Sequence, residues 1–149
     1  MGELSGDVIK LSIIIPAFNE EMRLEGTLRA VEAWASRAVG VIEIVVVDDG
    51  STDSTRQVVR AWERTVNEQS VLKVVLQPDH RGKGSAVARG VLQARGAVRV
   101  FMDADLAIPL MYVDRIVEEI RRGADVVIGS RELEGSRRRG EPWLRHAMG

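Results

Sequence analysis

Ile42-Glu43-Ile44-Val45-Val46-Val47 is a nearly continuous apolar run that passes straight into Asp48-Asp49-Gly50-Ser51-Thr52-Asp53. A strand that is apolar on both of its alternating faces must be buried on both. That is the mark of a parallel sheet covered by helices on each side. Asp53 is a good N-cap residue ahead of Val58, Val59 and Trp62, so the polar turn leads into a helix. Strand, polar turn and helix form the repeating unit of an α/β fold.

The same unit recurs on either side. Leu11-Ser12-Ile13-Ile14-Ile15-Pro16, Leu72-Lys73-Val74-Val75-Leu76, Val98-Arg99-Val100-Phe101-Met102 and Asp125-Val126-Val127-Ile128 are four further strand candidates. A helix is expected over 20–36, where Leu24, Leu28, Val31 and Ala35 make one apolar stripe. Another is expected over 84–95, stopped by Gly96, and a last over 109–122, opened by Pro109 and ended by Gly123. Strict alternation predicts a doubly wound, three-layer α/β/α sandwich, Rossmann-like, on a mostly parallel sheet with right-handed crossovers. Trp34, Trp62, Met102 and Met111 are expected to pack. Past Glu132 the pattern dissolves around Gly135, Arg137-Arg138-Arg139, Gly140 and Pro142, and Trp143-Leu144-Arg145-His146-Ala147-Met148 reads as the start of a helix.

The composition limits the chemistry. Without cysteine there is no disulfide, thiolate nucleophile or Cys-based zinc site, and His80 and His146 are the only histidines. A metal here must be held mainly by oxygen, which points to magnesium or manganese. Net charge is −1, but residues 121–149 carry seven Arg against four acids. That basic end could face an anionic ligand or a membrane surface, or be a solvated tail. No apolar run approaches the roughly 20 residues of a membrane span, and Met1-Gly2-Glu3-Leu4-Ser5 does not open a signal peptide. The chain therefore reads as soluble and cytoplasmic, with no nucleic-acid partner.

In open α/β sheets, ligands bind at the carboxyl ends of the strands. Pro16, Ala17, Phe18, Asn19 and Glu20 follow the first run, Asp48 and Asp49 the second, and Asp103, Ala104 and Asp105 the fourth. Two carboxylates one residue apart after a buried strand repel each other unless a divalent cation supplies the opposite charge. They could also be two solvated turn acids. Asp48 and Asp49 exceed what a turn requires, and a carboxylate there can accept from a base N–H or ribose hydroxyls. Arg81-Gly82-Lys83-Gly84-Ser85 opens a helix whose N–H groups and Lys83 could meet a phosphate, or it is a glycine turn with an exposed lysine. It is neither a Walker loop nor a dinucleotide fingerprint, because Gln77 and Val87 stand where glycines are needed. Arg131, in Gly129-Ser130-Arg131, could pair bidentately with phosphate. His80 is read as a plain loop residue.

Together, Ile13-Ile14-Ile15-Pro16-Ala17-Phe18-Asn19-Glu20-Glu21, Val46-Val47-Asp48-Asp49-Gly50-Ser51-Thr52-Asp53, Gly82-Lys83-Gly84, Asp103-Ala104-Asp105-Leu106 and Gly129-Ser130-Arg131 resemble the inverting family-2 glycosyltransferases of the GT-A fold. The match covers about residues 10–131, in the family's order and roughly its spacing. The sequence looks most like the enzymes that load a sugar onto a polyprenyl or dolichyl phosphate. Asp-Ala-Asp-Leu-Ala-x-Pro is nearer to the dolichyl-phosphate glucosyltransferases than to the mannose-phosphate synthases, which usually carry a glutamine where this chain has Ala107.

The resemblance implies that Pro16, Ala17 and Glu20 line a nucleoside pocket and that Asp48 or Asp49 contacts base or ribose. It sets Lys83 and Gly84 near the donor nucleotide and puts Asp103 and Asp105 beside a magnesium or manganese ion, with Asp105 favoured as direct ligand. Arg131 would face the acceptor phosphate. The implied reaction moves a hexose from UDP-glucose or GDP-mannose to a lipid phosphate, by direct displacement with inversion. A saccharide acceptor in polysaccharide or cell-wall synthesis, a non-catalytic nucleotide-sugar-binding module and an unrelated α/β nucleotidyltransferase are the competing readings. Family members continue well past the Gly-Ser-Arg segment. Residues 1–149 are accordingly expected to be one nucleotide-sugar-binding domain, truncated, with 132–149 beginning the acceptor side. Peripheral contact with the cytoplasmic membrane face is expected of the full-length protein, and exposed apolar edges could drive homodimerisation.

Overall fold

A computed structural model describes residues 10–38, 40–64 and 70–129. Four expected strands form: β1 (Leu11–Ala17), β2 (Ile42–Asp49), β3 (Ser70–Gln77) and β4 (Val98–Phe101). They alternate with α1 (Leu24–Ala35), α2 (Thr55–Trp62), α3 (Lys83–Gln93) and α4 (Met111–Arg121). The sheet order is β3-β2-β1-β4 and every pairing is parallel. Parallel neighbours need crossovers, and the helices that supply them cover both faces of the sheet.

The period of two along each strand divides the core. Ile13, Ile15, Ile44, Val46 and Val100 face α1, α2 and α4, and pack with Leu24, Leu28, Val31, Val59 and Val113. Ile14, Val45, Val47 and Val75 face the other way and pack with Ala86 of α3. The stripe expected for α1 is buried throughout. Gly90 brings the backbone of α3 onto the sheet: a Cβ there would collide with Ile14 Cγ2 and lie 2.9 Å from Val47 Cγ2.

Local chemistry sets the helix ends. Asp53 Oδ1 accepts from the Thr55 N–H (2.9 Å) and hydroxyl (2.5 Å), holding the start of α2. Slight burial pushes the Asp53 carboxyl up, but those bonds outweigh it and keep the group below its ordinary value. Gly123 (φ 106°) ends α4, with its N–H on Ile120 O (3.0 Å) and the Ala124 N–H on Glu119 O (3.1 Å). This paired pattern satisfies the last carbonyls.

At the amino ends of the strands, Glu43 is fully buried. It accepts from Ser12 Oγ (2.5 Å), the Arg95 N–H (2.7 Å) and Arg95 Nε (3.1 Å). Burial raises its pKa, but these donors together with the Arg95 charge hold it below the usual value.

Two expectations are corrected. Asp125–Ile128 is not a strand, and Val126 and Ile128 are 75% and 79% exposed. A strand is held by ladder bonds to a neighbour, and among the described residues β4 pairs with β1 alone. An apolar run creates a demand for burial, not a partner. Met111 is exposed as well, because the side of α4 that meets the core is marked by Val113. Trp34 and Trp62 are half-buried against the larger core cluster, and Met102 is buried in it.

Candidate functional site

From β1 the chain winds out through β2 to β3, then returns to place β4 on the other side of β1. Such a switch in strand order opens a crevice at the carboxyl ends. A cleft of ≈ 380 Å³ lies there. Pro16, Ala17, Phe18 and Glu20 line it after β1, and Asp49 does so at the end of β2. His80, Lys83 and Ala86 close one side, and Asp103, Ala104 and Asp105 the other.

The loops after β1 and β2 are clasped together. Asn19, in the left-handed region at φ 54°, accepts the Thr52 N–H on Oδ1 (2.9 Å) and donates its own N–H to Ser51 Oγ (3.0 Å). The Glu20 N–H donates to Thr55 Oγ1 (2.8 Å), and the Ser54 N–H to Glu21 Oε2 (2.8 Å). Asn tolerates that backbone better than most residues do. On the other wall, the Thr27 hydroxyl donates to Ala104 O and ties α1 to the acidic loop.

Asp48 and Asp49 take different places. Asp48 is fully buried, pairs with Arg56 Nε (2.5 Å) and accepts the Ser51 N–H (3.3 Å). It does not line the cleft. Asp49 points the opposite way. Its Oδ1 accepts from Gln77 Nε2 (2.6 Å) and the Arg81 N–H (2.9 Å), and its Oδ2 from the Gly82 N–H (2.8 Å) and lies 2.9 Å from His80 Nδ1. One buried carboxylate thus shapes the whole loop from His80 to Gly82. Gly50 (φ 74°) lets that loop close in, since a Cβ there would sit 2.6 Å from the His80 backbone nitrogen.

Lys83 Nζ lies 2.5 Å from Asp103 Oδ1, with both side chains about half-exposed. Asp105 is exposed and accepts the Ala107 N–H (3.0 Å), while Leu106 turns the chain at φ 53°. Space around Gly84 at the N-terminus of α3 is open. Arg131 lies outside the described residues.

Sequence reasoning missed two cleft residues. The Phe18 and His80 rings stack at 3.8 Å, 25° from parallel. His80 gave no sign of this in the sequence, because its two partners are 31 and 62 positions away and only the sheet brings them together.

Among the described residues, no three His, Asp or Glu side chains converge as a closed metal site. Asp103 and Asp105 supply two carboxylates at most. That fits magnesium or manganese, which keep waters and take substrate phosphates as remaining ligands. Asp103 already holds a cation, in Lys83, so the position attracts positive charge. No described helix is long and apolar enough to cross a membrane.

Comparison with known proteins supports one family. The profile described as Glycosyl transferase family 2 matches residues 12–148. A dolichol-phosphate mannosyltransferase of Pyrococcus furiosus is 37% identical over 92% of this chain and 37% of its own length. An undecaprenyl-phosphate 4-deoxy-4-formamido-L-arabinose transferase of Pseudomonas paraeruginosa is 37% identical over 91% of this chain and 38% of its own. The chain therefore spans little more than a third of these relatives. Among solved structures, the mannosyltransferase PcManGT from Pyrobaculum calidifontis in complex with GDP-Man and Mn2+ superposes with a TM-score of 0.57. It is 29% identical, over 67% of this chain and 33% of that one.

Proposed function

Because the chain belongs to glycosyl transferase family 2, we propose that it binds a nucleotide-diphospho-sugar in this cleft and forms the donor half of a transferase acting on a polyprenyl phosphate. The observation that carries the reading is the gathering, at the switch point of the sheet, of two carboxylates, Asp103 and Asp105, with the Lys83 cation that opens α3 and pairs with Asp103. Relatives named for dolichol-phosphate and undecaprenyl-phosphate support the acceptor class.

In this reading Asp103, Asp105, Lys83 and the open N-terminus of α3 at Gly84 form the diphosphate end. Pro16, Ala17, Glu20, Asp49 and the Phe18–His80 stack form the nucleoside end. Of the two neighbouring carboxylates the reading takes Asp49 for the nucleoside end, because it lines the cleft while Asp48 is buried against Arg56. A divalent cation held by Asp103 and Asp105 would supply positive charge against the negative charge that builds on a departing diphosphate. Lys83 adds a second positive group on the same side. The acceptor phosphate is already anionic near neutral pH, its second pKa lying near roughly 6, so it needs less general-base help than a sugar hydroxyl. Arg131 is proposed to meet that phosphate. Attack opposite the leaving group inverts the anomeric centre.

Calorimetric titration with UDP-glucose and GDP-mannose, with and without manganese, tests this on the chain and on Asp105→Ala. Manganese-dependent binding of one donor, lost in the variant, is expected, and it also selects the base. Binding unaffected by either manganese or the substitution refutes the metal reading.

A further inference from the structure

We propose that Lys83 and a divalent cation compete for Asp103, so that this site takes up metal and nucleoside diphosphate together rather than independently. The inference rests on reading the cleft as a metal and diphosphate site.

Lys83 Nζ stands 2.5 Å from Asp103 Oδ1. A magnesium-like ion binds carboxylate oxygen at about 2.0–2.1 Å. Two cations that close to the same oxygen repel each other strongly, so a metal on Oδ1 displaces the ammonium. Asp105 is different: its Oδ1 accepts the Ala107 N–H, and it pairs with no cation among the described residues. Control by Lys83 therefore falls on Asp103 alone.

Lys83 can leave Asp103 only at the expense of an ion pair, unless another anion receives it. The structure offers a place for one. Lys83 is the first residue of α3, and Gly82 before it is fixed at φ 89° with its N–H on Asp49 Oδ2 (2.8 Å). The backbone is anchored while the four-carbon stem stays half-exposed and free to swing. Beside it, the helix N-terminus and the open space at Gly84 favour phosphate. A diphosphate there attracts the ammonium, and Asp103 is released to the metal. By linkage, metal then tightens nucleotide binding by the same factor as nucleotide tightens metal binding.

Electron paramagnetic resonance of free Mn2+ reads this once the Mn2+ held by nucleotide alone, measured without protein, is subtracted. Mn2+ is titrated into the chain alone and with UDP or GDP, for the wild type, Lys83→Met and Lys83→Arg, after circular dichroism has confirmed that the variants fold. In the wild type, at least one nucleotide should tighten Mn2+ binding. Lys83→Met should bind Mn2+ without nucleotide about fivefold more tightly than wild type, the upper end for a half-exposed ion pair, and should gain less from nucleotide. Lys83→Arg keeps the charge and should stay near wild type. Equal Mn2+ affinity of Lys83→Met and wild type without nucleotide overturns the competition for Asp103 and leaves the metal site standing. No Mn2+ on any of the three, with or without nucleotide, overturns the metal site and the coupling with it.

Discussion

Asp49→Asn is the substitution with the most to lose in this cleft. The Asp49 side chain is 3% exposed, and four nitrogens converge on its two oxygens. Asparagine keeps one acceptor oxygen and replaces the other with an NH2. Its best orientation keeps the oxygen on Gln77 Nε2 and the Arg81 N–H and turns the NH2 toward Gly82 and His80. His80 can answer by switching tautomer and accepting through Nδ1. The Gly82 N–H cannot answer and is left facing another donor. An orphaned buried N–H costs about 1–3 kcal/mol, and the two retained bonds lose the extra strength of an ionised acceptor. Together the loss should be about 2–4 kcal/mol, a large share of a typical domain stability of roughly 5–15 kcal/mol. Urea unfolding followed by tryptophan fluorescence measures it, since Trp34 and Trp62 pack against the main core. Nucleotide binding by the folded variant should weaken too, because the His80–Gly82 loop leads into Lys83. A loss below about 0.5 kcal/mol would refute the idea that this carboxylate organises the loop.

Gly90→Ala should destabilise by about 1–3 kcal/mol through overpacking against Ile14 and Val47, and thermal unfolding checks it; a neutral result would mean that α3 can shift off the sheet. Glu43, whose folded pKa lies below its ordinary 4.5, contributes stability that is present above that value and lost as pH falls through the folded pKa. Glu43→Gln should therefore be less stable than wild type at pH 7, by about 1–3 kcal/mol, and the gap should narrow below about pH 4.5 in urea titrations; a gap constant down to pH 3 contradicts the assignment.

The architecture was legible because both faces of the central strands are buried. Val45, Val46 and Val47 leave no room for an alternating reading, and that forces a parallel sheet with helices on each side. Leu24, Leu28, Val31 and Ala35 marked α1 for the same reason. The pattern misled at Asp125–Ile128, where local composition imitates a strand but ladder bonds depend on a neighbour that no local pattern specifies. Met111 misled similarly, since an apolar side chain does not state which side of its helix meets the core.

What the sequence determined by itself was therefore periodic or local: strand identity, helix stripes, the stop at Gly123, and the collection of polar residues at one edge of a sheet. Tertiary structure decided what depends on direction and distance. Asp48 and Asp49 are chemically identical neighbours, yet the pleat sends one to Arg56 beneath α2 and the other into the cleft. Asn19 meets Thr52, His80 meets Phe18 and Lys83 meets Asp103 only because β2 and β4 lie on opposite sides of β1 and their carboxyl ends bring distant loops together.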